Sequence, residues 1–388
     1  MKTTNHYISD TVRRLKPSGI RKFFDLAANM DGVISLGVGE PDFVTPWNVR
    51  EASILSLEQG YTAYTANQGL FELRCEISRY LNKRFQLHYD PEKEILVTVG
   101  ASQALDIAFR TILNPGDEVL IIEPCFVSYS SLVTLAGGVP ISVSTKGDNG
   151  FKINPFDIKN YITHKTKAII ICTPSNPTGT VLSKQELIQI ANIAEEFDLM
   201  VIVDEIYAEL TYDEPFTSFP SLSKMRERSI LISGFSKGFA MTGWRLGYVV
   251  SDHSILQEML KVHQYTVMCA PTMAQYAALE ALKNCMEDVE YMRKSYRRRR
   301  NYFVKSLNEV GLICHNPGGA FYAFPSIKHT GMSSEEFAEK LLLQEKVAVV
   351  PGNVFGKSGE GYIRCSYASS MEHLQEAIKR IERFLQSI

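Results

Sequence analysis

Short runs of β-branched and other apolar residues alternate with amphipathic segments across the middle of this 388-residue chain. Near-continuous apolar strands separated by helices indicate a mostly parallel sheet that is covered by helices on both faces. In such α/β sheets, ligands bind beyond the carboxyl ends of the strands. The predicted strands are 95–99, 119–122, 168–171, 200–203, 230–233 and 246–250, and the predicted helices are 102–112, 126–135 and 183–197.

The pattern changes after a long helical region at about 254–309. Short strands are then predicted at 321–324, 347–350 and 362–366, with helices beginning near 333 and 371, whereas no helix is assigned before Ile20. A chain of this length with 45% hydrophobic residues can bury two cores. We therefore expect a large domain at 48–285 and a smaller α+β domain formed by 1–47 and 286–388.

The composition argues against several classes of partner. A formal net charge of −2 and a pI of about 6.5 make nucleic acid and anionic membranes poor partners. No apolar run approaches the roughly 20 residues of a membrane span. Seven cysteines without CxxC pairs are typical of a reducing cytoplasm, and no HExxH or paired His/Cys spacing predicts a metal site. The arginine run 297–300 is interpreted as a solvated or intersubunit helix face.

The segment 233–245 reads SGFSKGFAMTGWR and sets Lys237 among small residues that let a flat ring approach. A lysine held in this way suits a Schiff base to an aldehyde cofactor, and Arg245 suits the phosphate of that cofactor. Upstream, the run VIVDEIY ends in Asp204, with Tyr207 three residues later. A carboxylate can pair with a pyridine nitrogen, and a phenol can hydrogen-bond a ring hydroxyl. These groups are what pyridoxal 5′-phosphate needs to act as an electron sink.

With these motifs the chain resembles the class I and II aminotransferases, which depend on pyridoxal 5′-phosphate (PLP) and share fold type I, the aspartate aminotransferase fold. The resemblance runs from about Leu15 to the C-terminus. It is strongest with the bacterial group that acts on aspartate, alanine, aromatic amino acids or N-acetyl-diaminopimelate. The resemblance implies a homodimer whose active sites are shared across the interface.

The resemblance also implies roles for the residues that face the cofactor ring. Lys237 becomes the Schiff-base lysine and shuttles a proton, Asp204 pairs with the ring nitrogen, and Tyr207 holds the ring hydroxyl. Asn176, between the prolines of TPSNPTGT, reaches the same hydroxyl and the substrate carboxylate. Phe126, in PCFVSY, occupies the position of an aromatic residue that stacks on the ring.

A second implied set holds the cofactor phosphate. The run VGASQ joins a strand to a helix, so its small residues expose backbone N–H groups at a helix N-terminus. The implied phosphate ligands are Gly100, Ala101, Ser102, Ser236 and Arg245, together with Tyr64 contributed by a partner subunit.

The substrate carboxylate is expected at Arg364, in GYIRCS, because a guanidinium can bind a carboxylate with two hydrogen bonds. Gly39 lets the same carboxylate meet the backbone, and Ile20, Tyr322 and Tyr61 are expected to shape the side-chain pocket. Ser102 stands where the aspartate-specific subgroup carries a lysine for the distal carboxylate. The amino donor among the group's substrates is therefore left open.

The predicted function is a cytoplasmic aminotransferase that moves the amino group of an L-amino acid to a 2-oxo acid, expected to be 2-oxoglutarate, by a ping-pong mechanism. A PLP-dependent C–S β-lyase on the same fold is the alternative, because it shares the ring-binding residues. A non-enzymatic PLP-binding regulator is not expected. Relatives of that kind carry an added DNA-binding domain, and fewer than 40 residues precede Gly39.

Overall fold

A computed structural model describes residues 4–15, 17, 19 and 30–388. Its centre is a seven-stranded sheet in the order β2-β8-β7-β6-β5-β3-β4, in which β8 runs antiparallel to the other six strands. The mostly parallel sheet predicted from the sequence is thereby confirmed. The strands of this sheet are β2 (Ile95–Thr98), β3 (Glu118–Glu123), β4 (Val139–Ser144), β5 (Thr166–Cys172), β6 (Met200–Asp204), β7 (Ser229–Gly234) and β8 (Gly247–Val250).

Both faces of the sheet are buried at its centre, because alternate residues of the inner strands enter two different apolar clusters. Val201 and Val203 of β6 pack in one cluster, and Ile202 packs in the other. This alternation explains why the strand sequences are apolar throughout. Among the described residues up to 309, the α-helices are α1 (Asp10–Arg14), α2 (Trp47–Glu58), α3 (Phe71–Phe85), α4 (Gly100–Ile112), α5 (Ser128–Leu135), α6 (Pro155–Lys159), α7 (Lys184–Glu196), α8 (His253–Thr266), α9 (Thr272–Asn284) and α10 (Met286–Glu309).

Smaller sheets lie beside this layer. Strand β1 (Ile34–Ser35) pairs in parallel with β10 (Val347–Ala348), which brings the N-terminal segment to the C-terminal part of the chain. A three-stranded antiparallel sheet has the order β11-β12-β9. The remaining elements are β9 (Tyr322–Ala323), α11 (Ser334–Glu345), β11 (Val350–Pro351), β12 (Ile363–Ser366) and α12 (Met371–Gln386). The pairing is compatible with the proposed division into 48–285 and 1–47 with 286–388, which remains a prediction.

Several local predictions hold and others are wrong. The predicted helix 183–197 is α7, and Ser183 and Glu186 form a capping box at its start. Strand β4 was missed because Pro140 and its half-exposed neighbours lack the apolar run of the other strands, as is usual at a sheet edge. The predicted strand 347–350 is two strands with different partners. Helix α1 lies where no helix was assigned.

The interpretation of the arginine run 297–300 as a solvated or intersubunit face is wrong for two of its members. The side chain of Arg300 is 3% exposed and pairs with Asp213 at 2.5 Å, while Arg299 is 12% exposed and pairs with Asp42 at 2.7 Å. Buried guanidinium groups need such partners. These pairs fix α10 to the loops beside the main sheet.

Helix α4 begins against β8 at very short range. A Cβ added at Gly247 would lie 2.6 Å from the backbone nitrogen of Ala101 and 2.7 Å from the carbonyl carbon of Gly100. Any side chain at position 247 would therefore push the start of α4 away from the sheet. The absence of a side chain sets how closely this helix N-terminus approaches the strand.

We predict that Gly247→Ala lowers the free energy of unfolding by about 2 kcal/mol, because backbone atoms must move to admit the methyl group. Gly243→Ala is the control, since a Cβ there meets nothing within 4 Å, and it should change stability by less than about 0.5 kcal/mol. Urea unfolding of the cofactor-free protein measures both. Equal stabilities of the two variants would contradict the close packing.

Candidate active site

A cavity of about 760 Å³ opens at the carboxyl edge of the parallel strands. Asp204 ends β6, Lys237 follows β7, and Asn176 follows β5. Because β8 is antiparallel, its first residues lie at the same edge and bring Arg245 there. The predicted residues that line the cavity are Gly39, Ala101, Ser102, Phe126, Asn176, Asp204, Tyr207, Ser236, Lys237, Arg245, Tyr322 and Arg364.

The amine of Lys237 is withdrawn from solvent. Its Nζ atom donates a hydrogen bond to the Gly39 carbonyl oxygen at 2.5 Å and lies 6.0 Å from the ring centroid of Phe321. Burial lowers the pKa of Lys237 to about 8, an effect that Glu40 opposes and the guanidinium of Arg364 reinforces. Roughly a tenth of the amine is therefore neutral, and so nucleophilic and basic, at pH 7, against well under a thousandth at the usual lysine pKa.

The carboxylate of Asp204 is buried at the floor of the cavity. Its Oδ2 accepts a hydrogen bond from the Tyr129 hydroxyl at 2.6 Å, and its Oδ1 accepts one from the Ile206 N–H at 3.2 Å. Burial raises the pKa of Asp204, while these two donors and the Lys237 amine lower it. A buried carboxylate with two neutral donors still favours a nearby cation, which a protonated ring nitrogen can provide.

Two phenols face each other across the cavity wall. The hydroxyl groups of Tyr207 and Tyr322 lie 2.8 Å apart, and both side chains are buried. Burial raises the pKa of Tyr207 well above its ordinary value, so the group stays protonated. A neutral phenol can donate a hydrogen bond to a ring oxygen of a bound ligand.

Arg364 is 3% exposed and belongs to β12. Its Nη1 donates to Asn176 Oδ1 at 2.9 Å and its Nη2 to the Gly37 carbonyl at 2.7 Å. The Tyr322 and Phe355 rings lie 4.5 and 4.9 Å from its Cζ atom. Its Nε has no hydrogen-bond partner within the described residues. A buried guanidinium without an acidic partner is suited to an incoming carboxylate.

A corner rich in N–H groups lies where α4 begins. Gly100 has φ of +72°, and a Cβ there would lie 2.8 Å from Nη2 of Arg245. Glycine at this position therefore lets the guanidinium approach the helix N-terminus, where Ala101 and Ser102 follow. Ser236 is buried on the adjacent loop. Unpaired backbone N–H groups, the helix dipole and a guanidinium together favour a phosphate.

Some predicted residues are not in this cavity. Tyr64 is 80% exposed and does not line it, so its contribution across a subunit interface remains a prediction. Tyr61 was expected in the side-chain pocket, but within its own chain its ring stacks on Tyr276, with centroids 5.0 Å apart, outside the cavity. Ile20 lies outside the described residues.

Tyr129 and Cys172 are among the cavity residues that sequence reasoning missed. Tyr129 lies in the first turn of α5, and its ring meets that of Phe126, which precedes the helix, edge-on with centroids 5.7 Å apart. Cys172 also lines the cavity, and its thiol donates to the Pro174 carbonyl at 3.3 Å. Burial raises the pKa of its thiol, so it stays protonated.

The residues present fit PLP. The cavity has a neutralisable amine, a buried anion for a ring nitrogen, a buried phenol for a ring hydroxyl, and a cationic helix N-terminus for a phosphate. The Arg364 guanidinium, which lines the cavity and has no acidic partner among the described residues, provides a further anion site for a substrate. No helix among the described residues is long and apolar enough to cross a membrane.

Comparisons with known proteins agree with this geometry. The chain is 70% identical to the putative aminotransferase YugH of Bacillus subtilis (strain 168), over 98% of each chain. It is 50% identical to the aspartate aminotransferase of Pyrococcus abyssi, over 97% of this chain and 98% of that one. The crystal structure of an aromatic aminotransferase from Pyrococcus horikoshii superposes with a TM-score of 0.91 at 47% identity, over 95% and 99% of the two chains.

The model of the family "Aminotransferase class I and II" matches residues 31–381. Fold type I, predicted from the resemblance, is confirmed by the structural similarity to aminotransferases. The same relatives confirm the predicted aminotransferase activity, and their names give no support to the C–S β-lyase. The chain therefore belongs to the class I and II aminotransferases, a family of PLP-dependent enzymes.

Proposed function

We propose that this chain binds PLP at Lys237 and transfers the amino group of an L-amino acid to 2-oxoglutarate in a cytoplasmic homodimer. The observation that carries the proposal is the convergence of three buried groups on one cavity: the Lys237 amine, the Asp204 carboxylate and the Arg364 guanidinium. Each is costly to bury alone, and each suits a different part of a cofactor–substrate pair. The aspartate and aromatic aminotransferases among the relatives support this class of substrate.

The protein groups divide the work. When bound, PLP draws electrons away from the substrate Cα through its protonated ring. Asp204, fixed by Tyr129, would keep the proton on the ring nitrogen, and Tyr207 would donate a hydrogen bond to the ring hydroxyl. The first turn of α4 and Arg245 would hold the phosphate.

Substrate positioning falls to the other side of the cavity. Arg364 binds the α-carboxylate through its guanidinium, which Asn176 and the Gly37 carbonyl hold in place. This contact orients the Cα–H bond toward the amine of Lys237, which removes and returns the proton. A base with a pKa near the working pH is well matched to both steps.

A donor–acceptor screen tests the proposed reaction. The protein loaded with PLP is given single L-amino acids with 2-oxoglutarate, and we expect one keto acid and one transferred amine per turnover for its true donor. Lys237→Ala should abolish turnover, because no other described amine lines the cavity. Release of pyruvate, ammonia and a thiol instead of amine transfer would identify the C–S β-lyase and contradict the proposal.

The depressed pKa of Lys237 has a consequence for stability. Between pH 8 and 10.5 the unfolded chain holds a proton that the folded chain has released, so the free energy of unfolding rises with pH in this window. Cofactor-free Lys237→Met should thus be more stable than wild type at pH 7 by about 3 kcal/mol, and the difference should close near pH 10.5.

Lys305→Met is the matched control, because that side chain is 76% exposed and its charge is not desolvated. Urea unfolding at a series of pH values measures all three proteins. A Lys237→Met difference that stays constant from pH 7 to 10.5 would show that the amine titrates normally.

The hydrogen bond from Tyr129 to Asp204 predicts a cofactor defect in Tyr129→Phe. Loss of this donor raises the pKa of Asp204 further, so more of its carboxyl is neutral and cannot pair with a ring cation, and PLP affinity should fall about tenfold. Tyr80→Phe is the control, because the Tyr80 hydroxyl donates to the buried Glu209 carboxylate at 2.7 Å outside the cavity. Fluorescence titration with PLP compares the two, and equal affinities would refute the role of Tyr129.

A further inference from the structure

The loop from Lys237 to Arg245 is held in an unfavourable backbone conformation. Ala240 has φ of +52° and Arg245 has φ of +53°, and both lie in the left-handed region that residues with a Cβ rarely adopt. Such conformations persist only where the surroundings fix them. Because this loop carries both the amine and the guanidinium of the cavity, the contacts that fix it decide where those groups lie.

A single hydroxyl group contacts both ends of this turn. Thr45 Oγ1 donates to the Ala240 carbonyl oxygen at 2.6 Å and accepts from Trp244 Nε1 at 3.0 Å. Ala240 is one of the two residues with a left-handed backbone, and Trp244 immediately precedes the other, Arg245. Thr45 is 8% exposed and does not line the cavity, so it has no contact of its own to offer a ligand there.

Residues 39–45, which carry Thr45, are also held by contacts with α10. Asp42 pairs with Arg299 of α10 at 2.7 Å, and the Phe43 ring lies edge-on to Tyr296, with centroids 5.4 Å apart. These contacts are independent of the loop and place the segment between α10 and the turn. The position of the Thr45 hydroxyl is therefore set by α10, and the turn conforms to it.

The segment also touches the loop at two further points. The Glu40 carboxylate accepts a hydrogen bond from the Thr242 hydroxyl at 2.7 Å, and the Gly39 carbonyl accepts one from Lys237. Both of these groups line the cavity, where a bound ligand can compete for them. The Thr45 hydroxyl also joins residues 39–45 to the Ala240–Arg245 turn, but this contact is buried outside the cavity.

We propose that Thr45 is a positioning residue for PLP binding, whose hydroxyl holds the Ala240–Arg245 turn in its left-handed conformation so that Arg245 and Lys237 face one cavity. The inference rests on the proposed function. Without the hydroxyl, the Ala240 carbonyl and the indole N–H of Trp244 lose a shared partner, and the turn can relax to a more common backbone conformation. Arg245 then leaves the N-terminus of α4, and the phosphate site loses its cation.

The test is the dissociation constant of PLP from the cofactor-free protein, measured by fluorescence titration. Thr45→Val keeps the shape and removes the hydroxyl, and it should raise the dissociation constant about tenfold. Thr45→Ser restores the hydroxyl and should return the constant to within about twofold of wild type.

A matched control separates positioning from general stability. Thr330 Oγ1 also bridges two groups of a turn, donating to the Ile327 carbonyl at 2.8 Å and accepting from the Met332 N–H at 3.3 Å, away from the cavity. Thr330→Val should lower the urea midpoint about as much as Thr45→Val and leave PLP binding unchanged. If Thr45→Val does not fold, Trp244→Phe removes the indole N–H with part of the ring, leaves the Thr45 hydroxyl in place, and should also weaken PLP binding.

The outcomes are distinct. Wild-type affinity in Thr45→Val, or the same loss of affinity in Thr330→Val, overturns the role of Thr45 and leaves the proposed function standing. If Thr45→Val does not fold, wild-type PLP affinity in Trp244→Phe overturns the role of Thr45. A wild-type protein that does not bind PLP overturns the proposed function and this inference together.

Discussion

The burial of Lys237 and Asp204 at one edge of the sheet is the constraint on which the rest of the site depends. An amine and a carboxylate removed from water are each costly, and both are more stable when their surroundings supply partners. The protein supplies Asp204 with a phenol and a backbone N–H, and Lys237 with a single carbonyl. Neither set neutralises the charge, so the cavity retains affinity for a ligand that carries complementary groups.

The topology brings these groups together without long loops. Parallel strands β5, β6 and β7 end at the same edge, so the residues that follow them converge there. Antiparallel β8 begins at that edge and delivers Arg245 beside the N-terminus of α4. Gly100 and Gly247 make this contact possible. A Cβ at Gly100 would meet the Arg245 guanidinium, and a Cβ at Gly247 would meet the backbone at the start of α4. The anion site thus results from two close backbone contacts as much as from charge.

The parts of the fold and site that follow from local pattern were predictable. The apolar run before Asp204 placed the carboxylate at a strand end, and the β–α alternation gave the parallel sheet. Strand β4 was missed because its sequence is that of a sheet edge. The role of Tyr129 depends on a contact across 75 positions of the chain, and that of Thr45 on one across 195. Sequence spacing carries no signal for either.

The role of Lys237 is the central claim, and borohydride reduction of the PLP-bound protein followed by peptide mapping tests it most directly. The account predicts that reduction fixes the cofactor on the peptide that contains Lys237, and that the same treatment of Lys237→Ala labels no peptide stoichiometrically. A reduced cofactor on a different lysine, or none at position 237, would contradict it.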